Sequence, residues 1–137
     1  MRILAIETSC DETAAAVVED GVIIISNVVA TSHEMHEKYG GIVPEVAARM
    51  QLESIIPVIT EALKPLQQNP NESMLQTIQK NIDSLAVTVG PGLIGSLLVG
   101  VETAKTIAFV TGNPIIPVNH VLAHMYANFV DKKQIDF

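Results

Sequence analysis

Apolar residues recur along this chain in two rhythms, and the switches between them outline its elements. Residues 2–7 (Arg-Ile-Leu-Ala-Ile-Glu) form a near-continuous apolar run, as in a strand covered on both faces. The polar cluster Thr8-Ser9-Cys10-Asp11-Glu12-Thr13 follows, and residues 14–18 and 22–30 then return to β-rich sequence around Asp20-Gly21. Asp-Gly between such runs is a strong hairpin signal, since the tight turn needs positive φ at both central positions. A meander of three antiparallel strands is predicted. His33 to Val43 reads as loop, with Gly40-Gly41 supplying backbone freedom.

Pro44 suits the first turn of a helix. From there Val46, Leu52, Ile55, Ile56, Ile59 and Leu63 keep a helical period up to Pro65. Pro57 lies inside that pattern and predicts a kink or a break into two helices. The segment has more apolar residues than one face needs, so it packs under two lobes or offers a partner interface. Pro65 to Asn71 is weakly linker-like, and a short amphipathic helix with Met74, Leu75 and Ile78 follows it.

Leu85 to Val89 reads as a fourth strand running into Gly90-Pro91-Gly92-Leu93-Ile94-Gly95-Ser96. The next helix carries Ile94, Leu97, Leu98, Val101 and Ala108 on one side, and Gly112-Asn113-Pro114 stops it. Ile115 to Val118 reads as a short buried strand and Asn119 as the N-cap of the last helix. The chain closes on the polar run Asp131-Lys132-Lys133-Gln134. The order βββ-α(α)-β-α-β-α extends three antiparallel strands by two parallel ones through helical crossovers. This α/β layout, a mixed five-stranded sheet flanked by helices, is that of an actin/Hsp70-like (ribonuclease-H-like) lobe.

With 137 residues, 48% hydrophobic and 17% charged, the chain can bury one core and is read as one domain. It has no uncharged apolar run of about 18 residues, so no transmembrane helix is expected. Glu7, Asp11 and Glu12 interrupt any signal-peptide core. The single cysteine, Cys10, excludes an internal disulfide framework and fits a reducing, cytoplasmic location. A net charge of −7 with eight scattered Lys and Arg argues against strong nucleic-acid binding by this segment alone.

Candidate chemistry concentrates in three places. His120 and His124 stand one helical turn apart, on the same face. Leu122, Met125, Tyr126 and Phe129 form a stripe that, at ~100° per residue, points almost opposite to them and is the expected core face. The helix's positive end disfavours imidazolium and keeps both rings in the metal-binding form. Taken alone, the pair reads equally as metal ligands or as solvated, loop-capping imidazoles. Val121 stands where a zinc peptidase's HExxH motif has its glutamate, and a third ligand must come from elsewhere.

The second place is the turn holding Thr8, Ser9, Asp11, Glu12 and Thr13. In this architecture its hydroxyls and amides can meet phosphate and its carboxylates a hydrated cation; otherwise it is an ordinary polar turn. The third is Gly90-Pro91-Gly92, a tight strand-to-helix turn whose backbone can approach a ligand. It lacks a P-loop lysine and dinucleotide-fingerprint spacing. His36, a lone loop histidine, is read as structural.

Four blocks together resemble one family: Ile6–Ala14, His36–Glu45, Val89–Gly100 and Val118–His124, in order and at family spacing. They resemble the TsaD/Kae/OSGEP family of tRNA N6-adenosine threonylcarbamoyltransferases. The histidine pair separates them from the paralogous TsaB subunit. The resemblance implies that residues 1–137 are the N-terminal lobe of a two-lobe protein whose second lobe lies outside this chain. It implies transfer of threonylcarbamoyl from threonylcarbamoyl-adenylate to N6 of adenosine 37 in ANN-decoding tRNAs, with the fragment alone inactive. His120 and His124 carry over as ligands of one divalent metal, iron or zinc, whose third ligand lies outside the chain. Asp11 and Glu12 carry over as catalytic carboxylates, and Thr8, Ser9, Gly90 and Gly92 as contacts for ATP or threonylcarbamoyl-adenylate. Implied partners are tRNA and a TsaB-like paralogue or equivalent helper subunits, with no membrane. Gln51 departs from the histidine that many relatives have after Ala-Arg-Met.

Two rival readings stand beside it. The lobe is a non-catalytic module, dimerising with itself or a TsaB-like subunit through the 44–65 helical region, or it is an ATP-binding kinase or ATPase of the same superfold. The latter has no need of the histidine pair.

Overall fold

A computed structural model describes residues 1–37 and 39–130, so the C-terminal polar run and Lys38 lie outside the described residues. Strands β1 (Arg2–Glu7), β2 (Glu12–Glu19) and β3 (Ile23–Thr31) form the predicted antiparallel meander. Helices α1 (His33–Glu37), α2 (Pro44–Leu63) and α3 (Met74–Asn81) lead to β4 (Ser84–Gly90), α4 (Ile94–Thr111), β5 (Ile115–Asn119) and α5 (His120–Tyr126). β4 pairs parallel with both β1 and β5, giving the sheet order β3-β2-β1-β4-β5.

Local chemistry explains the joints. Asp20 and Gly21 both have positive φ (52° and 76°), and Val22 N–H closes the turn onto Glu19 O at 3.2 Å. Where the β2–β3 register slips beside Val17, Ser26 Oγ accepts from Val17 N–H (3.3 Å) and donates to Ala62 O (2.6 Å), tying the bulge to α2. Ser73 and Gln76 make a reciprocal capping box at the start of α3.

One sheet face carries Leu4, Ile6, Val17, Leu85 and Val87 against Ile55 and Ile59 of α2 and Val99 and Ile107 of α4. The other face presents Ala5, Glu7, Ala14, Ala16 and Ala86 to an open trough. β1 is thus covered on one face, where its apolar run predicted cover on both.

Other expectations change as well. Part of the predicted 33–43 loop is the short helix α1. Pro57 neither ends nor divides α2, which runs unbroken for 20 residues. The proline lies on the exposed side, where the carbonyl it leaves unpaired reaches water. β5 is an edge strand with Ile116 and Pro117 exposed rather than a buried one. α4 turns inward Ser96, Leu97, Gly100, Ala104 and Ile107, leaving Ile94 76% and Leu98 50% exposed. Its apolar residues surround the helix, so periodicity could not choose a face; the small residues choose it, by letting α4 approach β1. α4 has the length and apolarity of a membrane span, but it carries the exposed Glu102–Lys105 ion pair and packs on the sheet as a core helix.

Candidate functional site

The trough reaches the C-terminal ends of β1 and β4, where the Thr8–Asp11 turn begins. Glu12 and Thr13, expected in that turn, already belong to β2. Each carbonyl of the turn is engaged. Gln51, buried in α2, donates through Nε2 to Cys10 O (3.0 Å), Glu12 O (2.9 Å) and, at longer range, Thr8 O (3.4 Å). Leu93 N–H donates to Ser9 O (2.8 Å), Ser96 Oγ to Cys10 O (2.9 Å) and Ser32 Oγ to Asp11 O (2.7 Å). Donors from four separate parts of the chain thus hold the turn. A single amide reaching several carbonyls is what glutamine supplies here and an imidazole would not.

The histidine helix meets this turn. Asn119 caps α5 as expected, its Oδ1 accepting from Val121 N–H (3.0 Å) and Leu122 N–H (3.1 Å). His120 Nδ1 lies 3.1 Å from Ser9 Oγ and 3.5 Å from Glu7 Oε2. His120 Nε2 and His124 Nε2 face each other at 3.0 Å, the rings close to perpendicular. Two nitrogens bound to one ion at roughly 2.0–2.1 Å stand about 3–3.4 Å apart, so the pair fits a shared cation. Among the described residues no group of three His, Cys, Asp or Glu forms a complete cage.

Ser9, Asp11, Glu12, His120 and His124 all line one cavity of about 520 Å³, together with Glu7, Cys10 and Thr88. Thr8, Gly90 and Gly92 are not among its lining residues. Thr8 is buried behind it, donating to Ser96 O (2.7 Å) and accepting from Gly100 N–H (3.1 Å). Gly92 packs so closely that a Cβ would lie 2.5 Å from Ser9 O, and Gly90 has φ +148°. Those three residues shape the turn that holds the site. His36 is buried outside the cavity, where its Nδ1 accepts from Val43 N–H at 3.3 Å.

The stripe expected as the core face of α5 is exposed: Leu122, Met125, Tyr126 and Phe129 face solvent. α5 packs on β5 and β4, and amphipathicity identified the apolar side without identifying a cover for it.

Glu7 is the site residue that sequence reasoning missed. Its signal was a carboxylate ending an otherwise apolar central strand. Burial pushes its pKa up, but donation from Ser9, Thr88 and His120 outweighs this and holds it below the ordinary carboxylate value. Glu72, buried beside α3, is also depressed, by Lys80 Nζ (2.6 Å) and then by Gln68 N–H (2.9 Å). Both carboxylates therefore stabilise the fold above the unfolded glutamate value of about 4.3, and that support is lost as pH falls through their folded values. The urea midpoint is expected to stay level from neutral to about pH 5 and to drop below it. A midpoint unchanged down to about pH 3 would contradict this account.

Comparison with known proteins gives a consistent result. The family profile described as TsaD, tRNA N6-adenosine threonylcarbamoyltransferase, matches residues 23–137. A tRNA N6-adenosine threonylcarbamoyltransferase of Thermomicrobium roseum is 52% identical over 130 residues, covering 95% of this chain and 33% of that protein. One from Dehalococcoides mccartyi (strain CBDB1) is 49% identical over 137 residues, covering 100% of this chain and 39% of its own. The chain thus spans about a third of the length of these curated relatives. Among solved structures, YeaZ from Pseudomonas aeruginosa superposes with a TM-score of 0.60 at 16% identity, over 93% of this chain and 48% of its own. T. thermophilus RuvC, in complex with a Holliday junction substrate, gives 0.52 at 12% identity, over 91% and 68%. At such identities these structures establish the ribonuclease-H-like fold.

Proposed function

Because this chain belongs to the TsaD family of tRNA N6-adenosine threonylcarbamoyltransferases, we propose that residues 1–137 are the N-terminal lobe of a two-lobe enzyme of that activity. The reaction moves threonylcarbamoyl from threonylcarbamoyl-adenylate to N6 of adenosine 37 in ANN-decoding tRNAs. The observation that carries the reading is the pair of imidazoles facing each other at 3.0 Å on a cavity that also holds Asp11 and Glu12.

His120 and His124 would hold one divalent ion, iron or zinc, with the third ligand supplied from beyond this chain. Such an ion acts as a Lewis acid toward a carbonyl oxygen. The chain's own residues do the rest. The fixed Thr8–Asp11 turn sets Ser9 and Asp11 at one wall of the cavity and excludes rearrangement during transfer. As the bond from N6 to the carbamoyl carbon forms and the bond from that carbon to the adenylate oxygen breaks, N6 gives up a proton. Asp11 or Glu12 supplies the carboxylate that positions the amine and accepts it.

ATP or threonylcarbamoyl-adenylate would meet the Ser9 side of the turn. With a net charge of −7, most phosphate contacts to tRNA would come from the second lobe or from partners in the cytoplasm. A TsaB-like subunit or a second copy would use the helical layer. There Leu52 and Ile56 of α2 and Leu98 and Val110 of α4 line an apolar groove. That groove also favours the second reading, a non-catalytic interaction module.

Threonylcarbamoyl-adenosine formation on tRNA separates them. The full-length protein with its helper subunits is expected to form it and the 137-residue chain alone is not. Product from the chain alone would overturn the lobe reading, and no product from the complete assembly would overturn the activity.

A further inference from the structure

We infer that Glu7 is the positioning residue that fixes which nitrogen of His120 carries the proton, so that Nε2 is left free to bind an ion. The argument starts from the carboxylate. An ionised carboxylate only accepts hydrogen bonds. Oε1 of Glu7 accepts from Ser9 N–H and Oε2 from the Thr88 hydroxyl, so both oxygens are pinned and the plane of the group is set. His120 Nδ1 faces the Ser9 hydroxyl at 3.1 Å and, at 3.5 Å, Glu7 Oε2, the neighbour that can only accept. The Ser9 hydroxyl can give or take a hydrogen bond, so it does not by itself set the ring; the carboxylate does.

A neutral ring in that setting carries its proton on Nδ1. Its Nε2 then keeps a lone pair aimed at His124 Nε2, 3.0 Å away. Without an ion, His124 Nε2–H donates across this gap. A carboxylate or carbonyl behind a ligating imidazole is the usual device for orienting it. Here the carboxylate sits at the end of the central strand and is locked by that strand's neighbours. The proton position rests on this geometry alone; its use in holding an ion rests on the function proposed above.

Glu7→Gln turns the idea into a test, because the amide cannot be satisfied in both orientations. Ser9 N–H requires the carbonyl oxygen at the Oε1 position, so the NH₂ group must take the Oε2 position. A donor then faces His120 Nδ1, which becomes the acceptor, and the proton moves to Nε2.

The experiment is ¹⁵N-edited NMR of the imidazoles in the 137-residue chain, metal-free and at a pH where the rings are neutral, followed by titration with Co²⁺ alone. The wild-type chain is expected to show His120 as the Nδ1–H tautomer and Glu7→Gln as Nε2–H, with Co²⁺ affinity about 10–100-fold lower in the variant. Glu7→Asp, which remains acceptor-only, is expected to keep the Nδ1–H form. A wild-type His120 in the Nε2–H form would overturn the inference without recourse to any variant. So would a Glu7→Gln chain that folds and keeps the Nδ1–H tautomer. An Nδ1–H wild-type chain that binds no Co²⁺, in a full-length protein that also binds none, would overturn the ion-binding reading and leave the assigned proton position standing.

Discussion

Replacing His120 by alanine is expected to abolish retention of a divalent ion while leaving the fold in place. Among the described residues only two nitrogens face each other in the cavity, so removing one halves that donor set. Losing a partner behind a metal ligand typically costs 10–100-fold in affinity, so losing the ligand should cost about 100-fold or more. The structural cost should be small. His120 lines the cavity with a partly exposed side chain, so its removal lets water reach Ser9 Oγ and Glu7, and the Asn119 cap of α5 does not depend on it. A loss of about 1 kcal/mol or less is expected. Elemental analysis of the purified variant, with urea unfolding alongside, reads both quantities. Unchanged metal content would remove His120 from the ligand set.

Gly100→Ala should have the opposite profile, a large loss of stability centred away from the chemistry. A Cβ at this position would collide with Thr8 Oγ1, the buried atom that accepts the Gly100 amide and donates to Ser96 O. Either α4 lifts off β1 or Thr8 swings away and leaves its partners bare. Overpacking costs about 1–3 kcal/mol and a buried unpaired polar group about as much again, against a gain of up to about 1 kcal/mol in helix propensity. A net loss of about 2–4 kcal/mol follows, a large part of a small domain's stability. Gly95→Ala is the internal control. Among the described residues and outside its own helix backbone, its Cβ would meet Ala48 Cβ alone, at an ordinary 3.5 Å, so it should be neutral or slightly stabilising. Equal urea midpoints for the two variants would refute the close-approach account.

What the sequence made legible was whatever short-range chemistry decides. Asp20-Gly21 specified its turn, Asn119 its cap, and the four-residue spacing of His120 and His124 their shared face. The strand and helix order was enough for the sheet topology, because parallel strands joined by helices leave few alternatives. Long-range packing was not legible. The inward face of α4 depends on where Thr8 lies in space, and a helix apolar all round carries no sign of it. Pro57 looked like a breaker because sequence does not say which side of α2 meets water. The α5 stripe was correctly seen as apolar and wrongly given a cover. Glu7 was overlooked since its role depends on Ser9, Thr88 and His120, and Thr88 and His120 stand 81 and 113 positions away.

The manner in which the Thr8–Asp11 turn is tied down has a kinetic corollary. Loops normally open to solvent by cheap local fluctuations, while segments bonded into several packed elements open only when those elements separate. A turn roped to the β3–α1 joint, the long helix, the glycine-rich bend and α4 at once belongs to the second class. Deuterium should enter it about as slowly as it enters the central strands, so the wall behind the imidazoles would survive every motion short of melting the whole lobe.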